Sequence, residues 1–168
     1  MPRKLIPIIV LALSLSGSLV QAQVEQAPRI SKLGAIDREF MQQQRQRIDE
    51  LARFNLGRQL RGEKTHDLDV LQTLLDRRLV GAEQALELQA MGVVMGDLLK
   101  EELDMHWVVY EDRYGRSRAL QLQQSENFLF PITMISRRAE VGATVDVTAI
   151  YRRAVGMIEP YRRPLPFQ

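Results

Sequence analysis

The longest run of regularly spaced apolar positions predicts an amphipathic helix over about residues 37–61, which Gly62 ends. Glutamines and arginines fill the opposite face. The apolar positions of this helix are Ile36, Phe40, Ile48, Leu51, Ala52, Leu56 and Leu60. A stripe of four leucines then predicts a shorter helix over about 65–77, with Thr65 or Asp67 as its cap.

A third helix is predicted over about 82–103. Its middle, residues 91–95, is apolar on every side, as expected for the most buried helix of a domain. Gly92 and Gly96 lie on one face of this helix. Because a helical glycine costs about 1 kcal/mol relative to alanine, we expect another element to pack closely against these two positions.

The period then changes to that of β-strands. Residues 106–112 are β-branched and aromatic, residues 117–122 alternate, and Gly115 lies in the turn between them, so the segment predicts a hairpin. After a polar loop, residues 128–130 are expected to form a third strand.

Two helices are predicted after the strands, over 131–141 and 147–160. Helices, then a three-stranded antiparallel meander, then C-terminal helices packed on one sheet face make an α+β fold. We expect one domain over 36–160, a flexible lead-in over 23–35, and a Pro- and Arg-rich tail over 161–168.

Residues 1–22 have the pattern of a secretory signal peptide: Arg3 and Lys4 come first, an apolar run follows, and small residues precede a cleavage site near Ala22/Gln23. A membrane anchor is the alternative, but a proline and several serines interrupt the run, and spanning needs about 20 apolar residues. We therefore expect a periplasmic or secreted protein with no stable membrane span after cleavage.

Cleavage changes the charge. The full chain has 23 basic and 21 acidic residues, and removing Arg3 and Lys4 leaves equal numbers. A formally neutral chain lacks the positive surface that nucleic-acid backbones require, so no nucleic-acid partner is expected. The chain has no cysteine, so its fold depends on burial without disulfides.

Known catalytic and cofactor motifs are absent from the sequence, including a Gly-rich phosphate loop, a nucleophile elbow and His-Glu-x-x-His. No cofactor is predicted. His66 lies beside Asp67, and His106 follows an acidic stretch, but such acids more commonly cap helices or face solvent, so no metal site is predicted. Metal storage or sensing through His66 and His106 is the alternative.

The predicted hairpin concentrates aromatic, acidic and cationic side chains, a composition typical of recognition surfaces. Its candidate binding residues are Tyr110, Glu111, Asp112, Arg116 and Arg118. Pairing of these charges with each other across the hairpin is the alternative.

Arginine pairs at 137–138, 152–153 and 162–163 could converge into an anion site, or lie on separate solvated faces. Arg137 and Arg138 join the candidate binding residues.

Four short motifs occur in order: Leu88–Gly92, Trp107–Asp112, Gly115–Arg118 and Phe130–Arg138. Over about residues 65–158 the chain thereby resembles the bacterial family named domain of unknown function 3806. The resemblance implies a bacterial origin and favours the periplasm. It implies no activity, cofactor or catalytic residue.

Three functional hypotheses remain. The first is a non-catalytic binding or accessory domain for a periplasmic protein or peptide, with a toxin-neutralising immunity protein as a special case. The second is a small cell-envelope hydrolase that uses Glu111 or Asp112 as acid or base beside an arginine. The third is the metal-binding role above.

Overall fold

The computed structural model describes residues 27–162 of the 168-residue chain. The predicted signal peptide, its cleavage site and the tail from residue 163 onward lie outside the described residues. The helices are α1 (Ala35–Leu56), α2 (Lys64–Asp76), α3 (Ala85–Leu103), α4 (Ser136–Glu140) and α5 (Val147–Ile158), with 3-10 turns η1 (Pro131–Thr133) and η2 (Glu159–Tyr161). The strands are β1 (Arg29–Lys32), β2 (Met105–Asp112), β3 (Gly115–Leu122) and β4 (Phe128–Leu129).

The strands form one antiparallel sheet in the order β1-β2-β3-β4, so the α+β prediction is confirmed. The strand count is corrected from three to four. Strand β1 lies in the segment predicted to be a flexible lead-in, and it pairs with β2 from Arg29↔Glu111 to Lys32↔Val108. Its side chains lack an alternating apolar face, and the pairing is made by backbone groups that leave no periodicity in the sequence.

Helix α3 is the centre of the core, as its all-round apolar middle predicts. It packs against α1, α5, β2 and η1. The close approach expected at its glycines is present. A Cβ atom at Gly92 would lie 2.5 Å from the carbonyl oxygen of Ile132, and one at Gly96 would lie 2.5 Å from Cζ2 of Trp107.

Two helix boundaries differ from the predictions. Helix α1 ends at Leu56, because Gly57 takes the left-handed conformation (φ 64°) and its N–H bonds the carbonyl of Arg53. The helix predicted over 131–141 is divided into η1 and α4. The tighter turn of η1 brings the carbonyls of Pro131 and Ile132 against Gly92.

One face of the sheet packs against the helices. Met105, Trp107, Leu120 and Leu122 belong to the core beneath the helices. The Trp107 indole N–H donates to Asp97 of α3 (3.0 Å), and this carboxylate also accepts two bonds from Arg45 of α1, at 2.5 and 2.8 Å. Strand β2 is thereby tied to both helices. Among the residues described, no helix is long and apolar enough to cross a membrane.

Candidate functional site

A groove runs along the edge of β3. Strand β4 pairs only with Leu120 and Gln121, so residues 115–119 have β2 on one side and no described strand on the other. After β4 the chain turns away at Pro131 into η1. The edge of β3 therefore stays open where it carries Arg116 and Arg118.

The backbone groups at this edge have a defined direction. The N–H of Leu122 donates across to Asn127, which follows β3 on the β4 side (3.1 Å). Because every second residue of a strand directs its backbone groups to the same side, those of Arg116 and Arg118 also point to that side. No described strand receives them there.

The groove has a volume of about 510 Å³. One wall is β3 from Gly115 to Arg118, and the other is formed by Ile132 and Thr133 of η1 with Arg137 of α4. Phe40 of α1 and Gln89 of α3 complete the inner lining. The lining thus combines residues of the sheet with residues of α1, α3, η1 and α4.

The aromatic residues Tyr110, Tyr114 and Phe130 are among those that line the groove. The Tyr110 ring packs edge to face against Phe130, with ring centroids 5.3 Å apart. It also packs edge to face against Phe128, with ring centroids 5.1 Å apart. Tyr114, in the hairpin turn, is 80% exposed. Together these rings offer apolar contact area with hydroxyl groups at its edge.

Arg116 and Arg118 line the groove, but both are bound to one carboxylate that the sequence interpretation missed. Asp37, 2% exposed, accepts from Arg116 (2.7 Å) and from Arg118 (3.0 Å). Its Oδ2 also accepts the Gly34 N–H at 3.0 Å. The Arg118 guanidinium stacks 4.0 Å from the Phe40 ring centre. These contacts join the start of α1 to the hairpin.

The electrostatics follow from this geometry. The hydrogen bond from Arg116 lowers the pKa of the Asp37 carboxyl, against the opposing effect of burial. The same bond raises the pKa of Arg116. Asp37 is therefore a charged structural anchor, whereas a general base needs a pKa nearer neutrality.

Arg137 differs from these two arginines. It lies on the opposite wall of the groove, it is exposed, and its side chain has no hydrogen bond or ion pair with the described residues. The arginines at 137, 138, 152 and 153 do not converge into one site, and Arg163 of the third pair lies outside the described residues. Arg138 lies in a separate cleft with Arg153, and Arg152 lies between α2 and α5.

The two acidic candidates of the hairpin, Glu111 and Asp112, also lie in different places. Asp112 lines the groove, and its Oδ1 accepts the Tyr114 N–H at 2.8 Å. Glu111 pairs in register with Arg116 and is exposed, outside the groove lining. The groove therefore does not bring these two carboxylates together.

Neither histidine belongs to a metal-binding cluster in the part of the chain that the structure describes. The Nε2 of His66 lies 3.0 Å from the carbonyl oxygen of Gln59, and His106 is exposed at the start of β2. The histidine of α2 thus contacts the link between α1 and α2.

A second cavity, of about 530 Å³, lies between α2 and α5. The polar side chains at one end of this cavity bind one another. The Tyr151 hydroxyl donates to Glu102 (2.6 Å), which Lys64 also contacts at 2.9 Å. Burial, reinforced by Glu102, raises the pKa of Tyr151, so the phenol stays protonated.

Residues 67–151 match the family described as Domain of unknown function (DUF3806), which confirms the resemblance seen in the sequence. No curated protein matches the chain. A crystal structure of a protein from Bacteroides thetaiotaomicron VPI-5482 is similar, with a TM-score of 0.70 and 15% sequence identity. The alignment covers 78% of this chain but 48% of the solved chain, so this chain spans about half of that length. At this identity the likeness shows the fold alone.

Proposed function

This chain belongs to the family described as Domain of unknown function (DUF3806), and we propose that it is a non-catalytic binding or accessory domain that holds a protein or peptide segment in the groove beside β3. The observation that carries the proposal is the composition of that groove. Exposed aromatic rings line it together with Arg137, whose side chain has no ion pair with the described residues. Aromatic residues and arginine are the residue types that dominate protein recognition surfaces.

The shape of the groove favours a peptide over a compact small molecule. It is open along β3, and residues 115–118 extend over about 10 Å at roughly 3.3 Å per residue. That length suits three or four residues of an extended segment. Its walls belong to β3, η1 and α4, which are fixed by the core, so the groove exists before a partner arrives.

The proposed location is the periplasm. Support comes from the signal-peptide pattern of residues 1–22, which lie outside the described residues. An exported domain with a preformed groove suits a partner that is itself in the cell envelope.

Selection of a displayed random-peptide library on the purified protein tests the proposal. Peptides recovered in this way should bind the wild type, and Tyr114→Ala should weaken their binding about fivefold or more, since tyrosine is enriched among the interface residues whose truncation costs over 1 kcal/mol. Fluorescence anisotropy of the labelled peptides gives the affinities.

Tyr161→Ala provides the matched control. Tyr161 is 58% exposed in η2, away from the groove, so its removal should leave affinity unchanged. Recovery of no binding peptide, or equal loss in both variants, would count against the groove as the binding site.

A further inference from the structure

The open edge of β3 indicates how a segment would be held. We propose that an extended peptide adds as a strand to residues 115–118 and places a carboxylate at Arg137. This inference rests on the proposed function and adds to it a binding geometry and a chemical class of partner.

Strand addition follows from the backbone. The N–H and C=O groups of Arg116 and Arg118 point into the groove, because they share the direction of the Leu122 bond to Asn127. An extended peptide satisfies such groups with ladder hydrogen bonds. Strand β4 leaves this length of edge uncovered, and Pro131, which has no N–H, begins the turn away from it.

The side-chain pattern of the partner follows from the register of the hairpin. Ser117 pairs with Tyr110 on one face of the sheet, whereas Arg116 and Arg118 turn to the other face, toward Asp37. Side chains of an added strand alternate between faces in the same way. One set therefore meets the small Ser117 beside the Tyr110 and Phe130 rings, which favours apolar residues.

The charge of the groove favours an acidic group in that partner. Among the described residues, three arginines line it, namely Arg116, Arg118 and Arg137, against one lining carboxylate, Asp112. Arg116 and Arg118 both contact the buried Asp37, and Glu111 also interacts with Arg116 from outside the lining. No described carboxylate contacts the guanidinium of Arg137. A carboxylate of the partner can accept two parallel N–H bonds from this guanidinium.

Short synthetic peptides of alternating valine and glutamate are the probe. The glutamate peptide should bind. Replacing glutamate by glutamine, or Arg137 by glutamine in the protein, should each weaken binding about tenfold, the usual effect of losing a charge-assisted hydrogen bond. Arg152→Gln, which removes an exposed arginine from the cavity between α2 and α5, should leave the affinity unchanged.

Backbone methylation of the same peptide tests strand addition. Methylating one alternate set of amides should weaken binding about tenfold or more, and methylating the other set should have little effect, since only one set faces β3. Equal effects of both sets would overturn strand addition, and equal affinity of the glutamate and glutamine peptides would overturn the carboxylate at Arg137.

The outcomes separate this inference from the proposed function. If library peptides bind in a Tyr114-dependent way but the alternating glutamate peptide does not, the inference is wrong and the groove remains a binding site. If no library peptide binds, both are wrong.

Discussion

Replacing Gly92 with alanine should lower the free energy of unfolding by about 2 kcal/mol, because overpacking costs about 1–3 kcal/mol and here outweighs the helix-propensity gain. The new Cβ would lie 2.5 Å from the Ile132 carbonyl oxygen and 2.6 Å from that of Pro131. Backbone atoms cannot rotate away as a side chain can, so η1 must shift. Urea unfolding, followed by the fluorescence of the one tryptophan, Trp107, measures the loss.

Gly156→Ala is the control for this substitution. A Cβ at Gly156 in α5 meets nothing within 4 Å, so alanine there should stabilise the protein by about 0.5–1 kcal/mol through helix propensity. Because Ile132 and Thr133 form one wall of the groove, Gly92→Ala should also weaken peptide binding in folded protein. A Gly92→Ala protein as stable as Gly156→Ala would contradict the packing of η1 on α3.

Replacing Asp37 with alanine should cost about 2–3 kcal/mol of stability, since it leaves Arg116 and Arg118 facing each other without their shared carboxylate. The Gly34 N–H would also lose its acceptor. The same urea unfolding measures the loss. Glu50→Ala, which removes an exposed acid from the same helix, should change stability by less than about 0.5 kcal/mol.

The pH dependence of this difference identifies its cause. The folded pKa of Asp37 is lowered, so its contribution is fully present above the unfolded pKa of about 3.9 and is lost as pH falls through the folded pKa. The gap between wild type and Asp37→Ala should therefore be largest near neutral pH and shrink in acid. A gap that stayed constant into strong acid would show that the charge of Asp37 does not stabilise the fold.

Most of the fold could be predicted from local periodicity. Helix α3 and the β2–β3 hairpin follow from apolar positions that repeat with the period of each element. The turn falls at Arg113 and Tyr114, and Gly115, which was predicted to lie in the turn, is the first residue of β3. Strand β1 could not be predicted, because only one side chain of Arg29–Lys32 is partly buried. The segment is a strand because its backbone pairs with β2. Backbone pairing between distant segments leaves no signature in either one.

The sequence predicted which kinds of residue line the groove, but not which distant residue binds its arginines. The sequence singled out Tyr110, Arg116 and Arg137, which the structure places around one groove. It missed Asp37, which lies 79 residues before its partner Arg116. An acid three residues after a glycine at a helix start signals a cap, and nothing local signals its distant arginines.

Arg137 and Arg138 also show where prediction from local sequence fails. They are adjacent in sequence and were treated as a pair, yet they line different clefts. Successive residues of a helix differ by about 100° in direction, so neighbours diverge while residues three or four apart share a face. Adjacent charges on a helix therefore do not predict one site.

Amide hydrogen exchange of the protein, measured by NMR with and without the valine–glutamate peptide, tests the binding groove most directly. The backbone N–H groups of Arg116 and Arg118 should gain protection when the peptide binds, because they would donate to the added strand. Amides around Thr148 and Val155, which line the cavity between α2 and α5, should not change. Protection confined to that cavity, with Arg116 and Arg118 unaffected, would contradict the binding of a peptide at the edge of β3.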